Sequence, residues 1–62
     1  MNEVLHDTTV STVHEVRMLR SRAKSLAQQA SALPEPLATT YRRRARELTL
    51  EAYLLEQAGL AR

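Results

Sequence analysis

The sequence predicts an all-α protein: a coiled-coil-like antiparallel hairpin of two helices, expected to associate into a dimeric four-helix bundle. Three observations carry this. Apolar heptad seams flank one short Leu33-Pro34-Glu35-Pro36 segment. The composition is rich in Leu, Ala, Arg and Glu, with one Gly and neither Phe nor Trp, as helical bundles favour. The chain has only 62 residues and no cysteine. A core this small rarely supplies more than roughly 3–5 kcal/mol. Disulfides and thiolate metal sites are excluded, which leaves oligomerisation as the usual reinforcement.

Residues 1–8 show no clean period, and Asp7-Thr8-Thr9 reads as a stop. They are expected to form a flexible N-terminal arm ahead of a hairpin over 9–62. Helix 1 is expected over about 11–33, since Thr12 and Glu15 have capping-box spacing. A start at Asp7 or Thr8 would make Thr12 an interior residue. The turn occupies 33–36, because a proline disfavours the α conformation in the residue before it. Helix 2 is expected over about 36–58. A proline fits its first turn, and Gly59 is placed to cap its end.

In helix 1, Val16, Ala23 and Ala30 occupy heptad position a, and Thr12, Leu19, Leu26 and Leu33 occupy d. In helix 2, Ala38, Ala45, Ala52 and Gly59 occupy a, and Tyr41, Leu48 and Leu55 occupy d. Spacings of three and four alternate along both seams. Folding at the prolines sets Leu33 on Ala38, Ala30 on Tyr41, Leu26 on Ala45 and Ala23 on Leu48. Leu19 on Ala52, Val16 on Leu55 and Thr12 on Gly59 continue the series. Most layers set a larger residue against a smaller one, which lets helices approach closely. The same register brings Arg22 toward Glu51, and Arg43 and Glu47 have intrahelical pair spacing.

A second apolar stripe, Leu50, Tyr53, Leu54 and Leu60, lies on the back of helix 2 at f, b and c. A helix apolar on two sides is expected to be buried on two sides. Val4 and Leu5 of the arm could fold over it, yet two residues cannot cover four large ones. The stripe is therefore the expected partner interface, for a second copy or a larger protein.

Arg42, Arg43, Arg44 and Arg46, with Arg17, Arg20, Arg22 and Lys24, form a basic belt. Such a belt can neutralise phosphates, and Arg42, Arg43, Arg44, Arg46, Arg17 and Arg20 are the candidate nucleic-acid contacts. The arginines fall at several heptad positions, glutamates dilute them, and no aromatics interleave for stacking. A solvated face is the stronger expectation.

Nothing supports catalysis. His14 falls at f as a surface residue, and His6 has no identifiable partner. Serines 11, 21, 25 and 31 lack a placed histidine base, and no phosphate loop or zinc motif occurs. No cofactor or metal is expected, and Met18 reads as rim packing. There is no apolar run of membrane-spanning length and no secretory signal, so the expectation is a cytoplasmic protein with no membrane partner. Arginine outnumbers lysine eight to one, an association with bacterial coding bias. The expected role is a non-enzymatic interaction or oligomerisation module, a small adaptor or regulator. Nucleic-acid binding is the alternative.

Overall fold

The computed structural model describes residues 2–60, with side chains over 11–59. Two helices, α1 (Asn2–Ala30) and α2 (Leu37–Leu60), pack against each other as a hairpin, with no strand among the described residues. The described chain measures 51 × 17 × 10 Å, with a radius of gyration of 14.7 Å. A globular domain of this length would have a radius near 10.5 Å. The hairpin is thus a rod one helix thick, and each helix has only one neighbour.

The seam follows the heptad reading. Val16, Ala23, Ala30, Ala38, Ala45 and Ala52, all a positions, are buried together with Leu48. The remaining d residues, Thr12, Leu19, Leu26, Leu33, Tyr41 and Leu55, are half-buried. Alanine at a brings the backbones together, and the leucines at d lie across them with one edge open. Ala23, Ala45 and Leu48 form the central cluster, with Leu19 and Leu26 packed on it. At the far end, a Cβ added to Gly59 would stand 3.8 Å from Cγ2 of Thr12, so these residues face each other as the register requires.

The turn is longer than the sequence suggests, spanning 31–36 where 33–36 is expected. α1 closes at Ala30, not at Leu33. The amides of Ser31, Ala32 and Leu33 donate to the carbonyls three residues back, at 3.3, 3.0 and 3.2 Å. Pro34 excludes α geometry at Leu33, and the winding tightens before the chain reverses. The Ser31 hydroxyl also donates to the Gln28 carbonyl at 2.7 Å. The carbonyls of Pro34 and Pro36 accept from Ala38 and Thr40, opening α2, and the Glu35–Pro36 peptide is cis.

Two other boundaries differ from expectation. α1 begins at Asn2, so the backbone of 2–10 is helical where an arm preceding the hairpin was expected. Asp and Thr are only weakly unfavourable inside a helix, and Asp7-Thr8-Thr9 carries neither Gly nor Pro to stop one. Gly59 lies within α2 and has no positive φ, so it does not form the expected C-terminal cap. It is instead the small partner of Thr12. Because Thr12 faces Gly59, residues 2–10 run beyond the last layer and no part of α2 lies opposite them. The side chains of Val4 and Leu5, the alternative cover for the back of α2, lie outside the described residues.

Overpacking tests the seam. Ala45→Leu or Ala23→Leu should destabilise the hairpin by roughly 1–3 kcal/mol in urea unfolding. Leucine at Gln28 or Ser21, which are exposed, should change stability little. Equal effects at both kinds of position would show that the helices do not meet where the alanines lie.

Candidate functional site: an apolar back and a cationic groove

The first candidate surface is the back of α2. Leu50, Tyr53 and Leu54 are 56, 52 and 57 % exposed. They occupy the expected stripe, more than half open to solvent on a helix whose opposite side is sealed by Ala45, Leu48 and Ala52. Leu60 is the last residue of α2, and its side chain lies outside the described residues. Met18 on α1 is 49 % exposed at the same height along the rod.

The second surface is a shallow groove along the other edge of the seam. Arg20 and Lys24 of α1 and Arg42 and Arg46 of α2 border it. Ala23, Ala27, Ala45 and Thr49 form the floor, and Leu50 stands at its edge. Arg17 lies one turn from Arg20 on the same side of α1, as its heptad position dictates. The basic belt is therefore partly resolved into one face. Folding joins Arg20 and Lys24 to Arg42 and Arg46, while Arg17 does not line the groove and Arg43 and Arg44 fall at f and g, away from it. Lys24, a residue of the belt outside the six candidate contacts, borders the groove as well.

Ion pairs position two of these cations, and they are not the expected pairs. Arg20 reaches across the seam to Oε1 of Glu56, so the interhelical bridge joins two e positions. Arg22 and Glu51, at g on the opposite edge, form no ion pair among the described residues. On α2, Arg44 pairs with Glu47 at 3.1 Å, three residues apart, and replaces the expected Arg43–Glu47 pair. Glu35, in the turn, receives Nη2 of Arg42 on Oε1 at 2.8 Å and the Thr39 hydroxyl on Oε2. Arg42 also contacts Oγ1 of Thr39 at 3.4 Å. This cluster escaped the sequence reading, although Glu35, Thr39 and Arg42 have the spacing of successive turns on one helical side.

The Thr39 hydroxyl first, and the Arg42 guanidinium second, hold the Glu35 carboxyl below its ordinary value of 4.5. All these groups are exposed, so the bridges fix geometry more than they stabilise. No group of three or more metal-ligating side chains occurs among the described residues, and His14 is exposed. No described helix is long and apolar enough to cross a membrane.

A depressed carboxyl pKa contributes stability above the unfolded-state value that is lost as pH falls through the folded-state value. The melting-temperature difference between the parent chain and Glu35→Gln should therefore be present at pH 7. It should fade as pH drops below 4.5 and vanish once the folded-state carboxyl is protonated. A difference that persists unchanged at pH 2 would show that Glu35 acts through packing, not through its charge.

Compared with protein-family models, with curated proteins and with solved structures, the chain gives no match, so its surfaces alone carry the functional reading.

Proposed function

We propose that this chain is a non-enzymatic interaction module, a helical hairpin that self-associates into a dimeric four-helix assembly and serves as a small adaptor or regulator. The carrying observation is the exposure of Leu50, Tyr53 and Leu54 on the back of a one-layer hairpin. Large apolar side chains gathered on one face mark an association surface. Burial of each contributes roughly 1.5–3 kcal/mol, a large share of what so small a seam supplies. Among the described residues the seam itself buries five alanines, Val16 and Leu48. Folding and association are therefore coupled. Tyr53 suits an anchor whose ring is buried and whose hydroxyl stays at the rim.

Light scattering over a concentration series, with thermal unfolding alongside, tests this reading. The parent chain should show a concentration-dependent mass and melting temperature. Leu50→Glu combined with Leu54→Glu should abolish the larger species and lower stability. A monomeric mass for the parent at every concentration, or unchanged mass and stability in the double variant, would overturn it.

A second reading, nucleic-acid binding, is favoured by one observation: four cations border a single groove. Its floor is apolar, Arg20 and Arg42 already hold carboxylates, and no aromatic residue lines it. If phosphates are the ligand, affinity for a DNA or RNA duplex should fall steeply with salt, and Lys24→Ala with Arg46→Ala should flatten that slope. Binding that is weak and unaltered by the pair of substitutions would exclude this reading.

A further inference from the structure

We infer that two copies of this chain lie antiparallel, with their turns at opposite ends of the assembly and the backs of the two α2 helices meeting near the middle of the rod. The inference rests on the self-association proposed above and adds its geometry. It stands on two independent observations, the height of the apolar patch and the distribution of charge along the rod.

Asn2 marks one end of α1 and the turn at Leu33 the other, so the midpoint of the rod falls near Arg17 and Met18. With Thr12 facing Gly59, Tyr53 and Leu54 stand at that height. Leu50 lies about 5 Å nearer the turn at 1.5 Å per residue. Six large apolar side chains are exposed among the described residues, and Met18, Leu50, Tyr53 and Leu54 belong to this central band. A patch at the midpoint of a rod can meet its own copy across a two-fold axis perpendicular to the rod. In that arrangement Tyr53 of one copy packs on the partner's Leu54, Leu50 stands about one turn from that contact, and both rods overlap over their full length.

The charges choose between the two ways of laying one rod on another. The half nearer the turn carries Arg20, Arg22 and Lys24 on α1 and four arginines from Arg42 to Arg46 on α2. Glu35, Glu47 and Glu51 oppose them, for a net charge of +4. Among the described residues, the other half, 2–17 with 54–60, carries Glu3, Asp7, Glu15 and Glu56 against Arg17, for a net charge of −3; Arg62, which brings the chain to +2, lies outside them. Turns at the same end would set basic half on basic half and acidic half on acidic half. Turns at opposite ends set basic on acidic twice over. Such complementarity fixes orientation and suppresses the wrong partner arrangement more than it adds affinity. The segment 2–10, which no part of α2 faces, then lies beside the basic half of the partner.

The test is a distance between spin labels. The chain has no cysteine, so Ala32→Cys, an exposed position beside the turn, places one label per chain. About 15 residues separate Ala32 from the midpoint, so antiparallel rods set the two labels roughly 40 Å or more apart. Rods with turns together would set them within roughly 25 Å. Circular dichroism checks that the labelled chain keeps its helices, and Gln28→Cys, one turn earlier, replaces it if it does not. The expected result is a dimer with a single long distance. A dimer with a short distance overturns the antiparallel arrangement and leaves self-association standing. A monomer at all concentrations overturns both.

Discussion

Alanine at successive a positions governs this molecule. Where Ala23, Ala30, Ala38, Ala45 and Ala52 meet the opposite helix, no side chain holds the backbones apart, and all five are buried. Close approach has a consequence for area. Alanine removes little surface from water, so the seam is well sealed yet weakly stabilising. Leu48, 2 % exposed, is the one large side chain that the seam encloses fully among the described residues. The other leucines lie across the alanines with an edge uncovered. The geometry that brings the helices together thus leaves the protein one layer thick, and the backs of both helices remain available.

The antiparallel turn has an electrostatic consequence that neither helix has alone. Arg20 and Lys24 sit on α1, and Arg42 and Arg46 sit about twenty residues later on α2; reversal at Pro34–Pro36 makes them the two walls of one groove. The same reversal brings Glu56 beside Arg20 and places Glu35 where Arg42 and Thr39 can bind its carboxylate. Two of the four groove cations are therefore held in place, at the groove's two ends, while Lys24 and Arg46 between them form no ion pair among the described residues. A groove organised in this way presents its free charge at the centre.

The seam was legible in the sequence because its cause is local and periodic. Alternating spacings of three and four identify the inward residues, and a short proline turn leaves little choice of register. Leu50, Tyr53 and Leu54 were legible for the same reason: a residue at f, b or c cannot face the seam. The ion pairs were not. Arg22 with Glu51 and Arg20 with Glu56 both join facing flanks, at g and at e. Reach and rotamer decide between them, and heptad letters carry neither. The start of α1 also escaped, because Asp7-Thr8-Thr9 disfavours a helix by tenths of a kcal/mol per residue and cooperative propagation overrides so small a bias. Gly59 invited a cap because glycine commonly ends helices. Here its missing side chain serves the approach of Thr12 instead.

Charge order along the chain takes on a new meaning once the chain is folded. In sequence the pattern is acidic, basic and acidic again: Glu3, Asp7 and Glu15, then Arg17 to Arg46, then Glu47, Glu51 and Glu56. A straight helix with that order would have two similar ends. A hairpin sets Glu56 beside the first acidic stretch at one end of the rod and brings the basic stretch from Arg20 to Arg46, with Glu47 and Glu51 against it, toward the turn, so a nearly symmetric sequence becomes a polar object. Polarity of this kind is insensitive to rotamers, because it depends on which layer a residue occupies and not on where its side chain points. At physiological ionic strength the screening length is about 8 Å, so the field acts over the distance between adjacent helices and little farther. It cannot draw copies together from afar. In the proposed pair it would discriminate only after contact, once the apolar band at the middle had brought the rods side by side. In the proposed antiparallel pair apolar contact would supply the attraction and charge the direction, and the two are separable because they occupy different parts of the rod.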